Sequence, residues 1–76
     1  MTYHPKVDYV LVVDVSDNGR LYYYAGYYNE NFIPENTQDY NEAFKIENEE
    51  EANSVCIKLN ELDKSPFKYH VEEHSY

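Results

Sequence analysis

His70 and His74, four positions apart, would share a face and could jointly ligate a metal if they stood on a helix. Their neighbourhood alternates as a strand does, with Phe67, Tyr69 and Val71 against Lys68 and His70. Four strand residues span about 13 Å, too far for one ion to bridge. His4 is isolated near the start of the chain. Carboxylates cluster at Glu47, Glu49, Glu50 and Glu51, but acid/base catalysis needs burial to set two pKa values apart. A solvated helix start suits them better, because acids there compensate the helix dipole. Cys56 falls on the apolar stripe of the same helix, where a free thiol serves as a small hydrophobe rather than a nucleophile. No phosphate loop, serine-centred elbow or dinucleotide fingerprint occurs in the chain. The expectation is a non-enzymatic protein without cofactor or metal.

What remains is charge and tyrosine. The formal net charge is −9 over 76 residues, and it is concentrated. Residues 30–51 hold eight acids (Glu30, Glu35, Asp39, Glu42, Glu47, Glu49, Glu50, Glu51) against Lys45 alone, giving −7, while the other seven acids and five bases give −2. Nucleic-acid affinity comes largely from Lys and Arg displacing counterions, so direct binding to nucleic acid is disfavoured and a basic protein surface is the natural partner. Solubility alone is the plainer explanation of such acidity. Ten of the thirteen aromatic residues are tyrosine, a residue that buries large area while its hydroxyl stays in water and so suits interfaces as well as cores.

These groups must be positioned by a small fold. A chain of this length buries roughly 60% of the surface it exposes when unfolded, so one compact domain spanning residues 1–76 is expected. A single cysteine fits a reducing, cytoplasmic setting, and no apolar run approaches the ~20 residues of a membrane span. Residues 7–28, VDYVLVVDVSDNGRLYYYAGYY, read as a β-hairpin reversing at Asp17-Asn18-Gly19. A two-residue turn at Asn18-Gly19 would pair Val15 with Tyr22 and Val13 with Tyr24. A turn at Asp17-Asn18 with Gly19 as a bulge would pair Val15 with Leu21, Val13 with Tyr23 and Leu11 with Ala25. Burial favours the second, which gathers one wholly apolar face.

Residues 1–6 form a polar lead-in, and 29–41 a loop that packs only through Phe32 and Ile33. Residues 42–47 alternate weakly as a short third strand, although 39–43 could instead make a helical turn. Asn48 is a suitable N-cap with Glu51 at the capping-box position. Ala52, Val55, Cys56, Leu59 and Leu62 then recur on one helical face, with Ile57 at its edge, until Pro66 stops the helix. Residues 67–71 form a final strand, and 72–76 a fraying tail. The order gives an α+β fold, a small antiparallel sheet with its helix on one face. The expected core is Leu11, Val13, Val15, Leu21, Tyr23, Ala25, Phe44, Val55, Cys56, Leu59, Phe67, Tyr69 and Val71. The face bearing Tyr22, Tyr24 and Tyr28 is left without a covering element.

Three readings of function follow. In the first, Glu35, Asp39, Glu42, Glu47, Glu49, Glu50 and Glu51 occupy a basic, normally nucleic-acid-binding surface of another protein. In the second, Tyr22, Tyr24 and Tyr28 bind a small ligand, within a homodimer. The third is a structural or regulatory subunit. The passage Ala43-Phe44-Lys45-Ile46-Glu47-Asn48-Glu49-Glu50-Glu51-Ala52, set between a hairpin and a terminal strand, resembles the short acidic proteins carried by bacteriophages and prophages. It is similar in style to anti-CRISPR and other anti-defence inhibitors, some of which imitate DNA. That resemblance, in size, acidity and element order, implies an inhibitor of a nuclease or defence complex in the cytoplasm of a bacterial host, and it carries over no residue roles.

Overall fold

The computed structural model describes residues 7–14, 20–63 and 65–75. The lead-in 1–6 and the turn residues 15–19, Val15 among them, lie outside the described residues. The rest form an α+β fold, one open antiparallel sheet of four strands with a helix packed against it. Strands β1 (Val7–Val13), β2 (Tyr23–Tyr28) and β3 (Pro34–Thr37) precede a short 3-10 helix at Tyr40–Glu42, followed by α1 (Glu49–Asn60) and β4 (Tyr69–Ser75). The strand order is β3-β2-β1-β4. Among the described residues no helix is long and apolar enough to cross a membrane.

The hairpin adopts neither expected register. Val12 lies opposite Tyr23, and the Val13 N–H donates to the Tyr22 carbonyl at 2.9 Å. This is a one-residue shift from the Val13–Tyr23 pairing, and it moves Tyr23 to the other face. Leu11, Val13 and Tyr24 pack with Cys56, Leu59 and Tyr69 on the helix side, joined by Tyr22, Val55, Leu62, Phe67 and Val71. Val10, Val12 and Tyr23 pack with Ala43 and Tyr40 on the opposite side. The sheet is therefore covered on both faces, the second by the 3-10 helix and the residue after it. Leu21 is left 57% exposed and Phe44 39% exposed, so neither is the core residue expected, and Ala25 is only half-buried.

The loop expected at 29–41 contains β3, which pairs with β2 around a bulge that places Tyr28 opposite Pro34 and Tyr24 opposite Asn36. Its reversal is stitched by Asn29, whose Oδ1 accepts from the N–H groups of Asn31 and Ile33. Phe32 does not pack there, being 78% exposed. The strand expected at 42–47 reduces to a bridge at Ile46, and the helical turn alternative is what precedes it. Ile46 exchanges backbone hydrogen bonds with Tyr9 of β1, while the Phe44 N–H donates to the Tyr24 carbonyl of β2. This short segment thus wedges into the gap where β1 and β2 diverge, satisfying backbone groups that would otherwise be orphaned. At β2 the fit demands Gly26: its φ is +96°, and a Cβ there would lie 3.1 Å from the Phe44 ring.

The helix ends at Asn60, six residues before Pro66, and β4 extends from Tyr69 through Ser75, pairing with β1 along its whole length from Val13↔Tyr69 to Val7↔Ser75. The expected fraying tail is mostly this strand.

Candidate functional site

The helix start is built as the capping signal implies. Asn48 Oδ1 accepts from the Glu51 N–H at 3.1 Å, which secures one of the unpaired donors of the first turn. The return bond from the Glu51 carboxylate is not among the described hydrogen bonds. Glu47, Glu49, Glu50 and Glu51 are all exposed around this fixed turn. The other candidate acids are placed elsewhere. Asp39 caps the 3-10 helix by accepting from the Asn41 N–H at 2.9 Å, and Glu42 accepts from the Thr37 hydroxyl at 3.2 Å. Asn36 faces the helix side, since its Oδ1 accepts from the Tyr69 hydroxyl at 2.8 Å, so strand alternation puts Glu35 and Thr37 on the opposite face. The acids thus form two groups, one at the helix start and one beside the 3-10 helix.

Lys45, the one base within the segment, does not neutralise either group. Its ammonium donates to the carbonyls of Tyr40 and Ala43, and sits 4.5 Å from the centre of the Tyr40 ring, a cation–π contact. The Tyr40 ring in turn stacks on His74 at 4.7 Å.

Glu73, which sequence reasoning left on a fraying tail, stands on β4. It pairs with Tyr9 across β1 and β4. Burial, then the negative charges of Glu73 and Glu49, raise the Tyr9 phenol above its ordinary pKa. Continuation of the alternating pattern past Val71 was the available signal, masked by the polarity of Glu72 and Glu73.

The candidate tyrosines do share a face, but it is the one that carries α1. Tyr24 is buried, against Phe44 and Tyr69 in edge-to-face contacts of 5.9 and 6.1 Å. Tyr22 is half-buried and its hydroxyl accepts from Gln38 Nε2 at 2.8 Å. Only Tyr28, at 47% exposure, offers much surface. Burial pushes the Tyr69 phenol up to about 12 despite its bond to Asn36, and raises Tyr24 likewise. These phenols remain protonated at neutral pH and serve as packing and hydrogen-bonding groups.

His70, Glu72 and His74 project from one face of β4, as alternate residues must. His70 meets Asp14 through Nδ1 and Glu72 through Nε2 at 3.0 Å. Burial alone would lower the His70 pKa, but the hydrogen bonds to Glu72 and Asp14 outweigh it and the net shift is upward. His74 Nε2 lies 3.5 Å from the other Glu72 oxygen, outside hydrogen-bond geometry, and is buried without a partner, as is the Tyr40 hydroxyl. Among the described residues no group of three His, Cys, Asp or Glu is arranged to hold a metal ion. Cys56 is buried, donates its thiol to the Tyr69 carbonyl at 3.2 Å, and has a raised pKa, chiefly from burial. A thiol so placed is a packing group, since nucleophilic cysteines need a lowered pKa and access.

No protein-family model, no curated protein and no solved structure matches this chain. The site is accordingly defined by its own chemistry: a capped turn presenting exposed carboxylates that make no ion pair among the described residues.

Proposed function

We propose that this chain is a non-enzymatic acidic binding protein whose helix start docks on a basic, normally nucleic-acid-binding surface of another protein, acting as an inhibitor of a bacterial nuclease or defence complex. The observation that supports this most is the inward commitment of Lys45, which leaves the eight carboxylates of residues 30–51 without an ion pair to the segment's one base. Solubility needs no such arrangement. Because Asn48 holds the first turn, ordering the carboxylates on binding costs little, which is how a preorganised surface gains affinity. The tyrosine-face reading is weakened, because Tyr24 and much of Tyr22 are occupied by packing within the chain.

The test is displacement of a labelled DNA duplex from purified bacterial nuclease complexes. Glu47→Lys with Glu50→Lys should weaken displacement more than Glu61→Lys with Asp63→Lys, exposed acids at the far end of α1. The first pair costs the helix about 0.3–1 kcal/mol per reversed charge through its dipole, so melting curves must show both variants folded. Displacement should also weaken as salt rises and the Debye length falls from roughly 10 Å at 0.1 M to about 3 Å at 1 M. Equal losses from both pairs would reduce the effect to bulk charge, and salt-independent displacement would sink the reading.

A further inference from the structure

The two outer strands of the sheet end very differently. β3 is four residues long and begins with Pro34, which has no N–H to offer, and short, proline-bearing edges resist further pairing. β4 is seven residues long. Its inward and outward backbone groups are identifiable: the Asp14 N–H donates to the Lys68 carbonyl at 2.8 Å, so even-numbered residues bond to β1 and odd-numbered ones point away. At Tyr69 the outward pair is taken by the Asn60 side chain. Val71, Glu73 and Ser75 have no such cap among the described residues.

We propose that this edge pairs with the same edge of a second copy of the chain, forming an antiparallel two-fold dimer with one continuous sheet. Only outward residues can form the hydrogen-bonded pairs, and Asn60 excludes registers that use Tyr69. Three symmetric registers then pair two different outward residues without Tyr69, and the one centred on His74 pairs only Glu73 with Ser75, leaving Val71 without a partner and the two His74 rings directly opposite each other. Centring on Glu72 sets the two Glu72 carboxylates opposite each other in a close, non-hydrogen-bonded pair, and sets His70 opposite His74; like charges so placed destabilise a sheet. Centring on Glu73 sets Val71 opposite Ser75 and, on the other face, Glu72 of each copy opposite His74 of its mate. The one like-charge pair, Glu73 with Glu73, then falls in the wider hydrogen-bonded position. The edge is thus self-complementary in one register, as an isologous interface requires.

This dimer is independent of the acidic docking reading, and salt affects the two in opposite senses. Each chain carries a net charge of −9, so screening favours dimerisation while it weakens binding to a basic partner. Sedimentation equilibrium across a dilution series at about 0.1 M and about 1 M salt should show the dimer fraction increasing with salt. Glu73→Pro removes an outward donor at the centre of the interface without breaking a bond to β1, and should weaken dimerisation by about tenfold or more. Ser75→Pro does the same at the end of the strand and decides the matter if the first variant loses its folded circular-dichroism spectrum. A monomer at every salt and concentration, or folded proline variants that dimerise like the parent, overturns the proposal.

Discussion

The side-chain amide of Asn60 hydrogen-bonds both backbone groups of Tyr69, accepting from its N–H at 2.7 Å and donating to its carbonyl at 3.0 Å. It substitutes for a neighbouring strand at the point where β4 begins, and it ties the last residue of α1 to the sheet. The Lys68 ammonium closes the same junction on the Asn60 carbonyl at 2.7 Å. Asn60→Ala would leave the Tyr69 N–H without its partner and its carbonyl with only the weak Cys56 thiol donor, and should cost about 1–3 kcal/mol in urea denaturation. A loss under half that would mean water replaces the amide freely.

Leu59, adjacent in sequence and 1% exposed, anchors the helix-side core. Leu59→Ala should cost about 2–5 kcal/mol, the range for fully buried leucines. A change below about half a kcal/mol would remove that helix face from the core.

Two backbone positions with positive φ call for substitutions of opposite sign. Gly26, at +96° and against Phe44, should not tolerate a side chain, and Gly26→Ala is expected to destabilise by about 1–3 kcal/mol. Phe32, at +61° and 78% exposed, bears strain without packing return, so Phe32→Gly should stabilise by about 1 kcal/mol. Thermal melts of the two variants, read side by side, check the pair of signs.

His70 makes part of the stability depend on pH. Its pKa in the folded chain is raised above the ordinary value, so its contribution is full below about 6.5 and is lost as pH rises through the folded value. Both partners are largely solvent-exposed, and screening holds the contribution to no more than about 1 kcal/mol. The stability difference between the parent and His70→Gln should therefore be larger at pH 6 than at pH 8. A difference independent of pH would show that the imidazolium is not what Asp14 and Glu72 stabilise.

The sequence by itself determined the elements that local chemistry governs. The α1 start at Asn48 and the stripe of Ala52, Val55, Cys56 and Leu59 follow from capping and helical period, and the exposure of Ile57 and of the helix-start acids follows from the same geometry. The α+β class came from element order. What only the tertiary structure decided is which residues face each other across the sheet. A register chosen to make one face apolar fails here, because Val10, Leu11, Val12 and Val13 are all buried. A continuous apolar run marks a strand covered on both sides, and in such a strand alternation carries no register information. The second cover is the 3-10 helix with Tyr40 and Ala43, a helical turn that the sequence offered at 39–43 as the alternative to a strand, without a sign that it packs on the sheet. The inward turn of Lys45 and the extension of β4 through Glu72 and Glu73 were equally invisible: the first depends on how the short 3-10 helix sets the Tyr40 ring and the Tyr40 and Ala43 carbonyls under the ammonium, the second on the backbone of β1, distant in sequence.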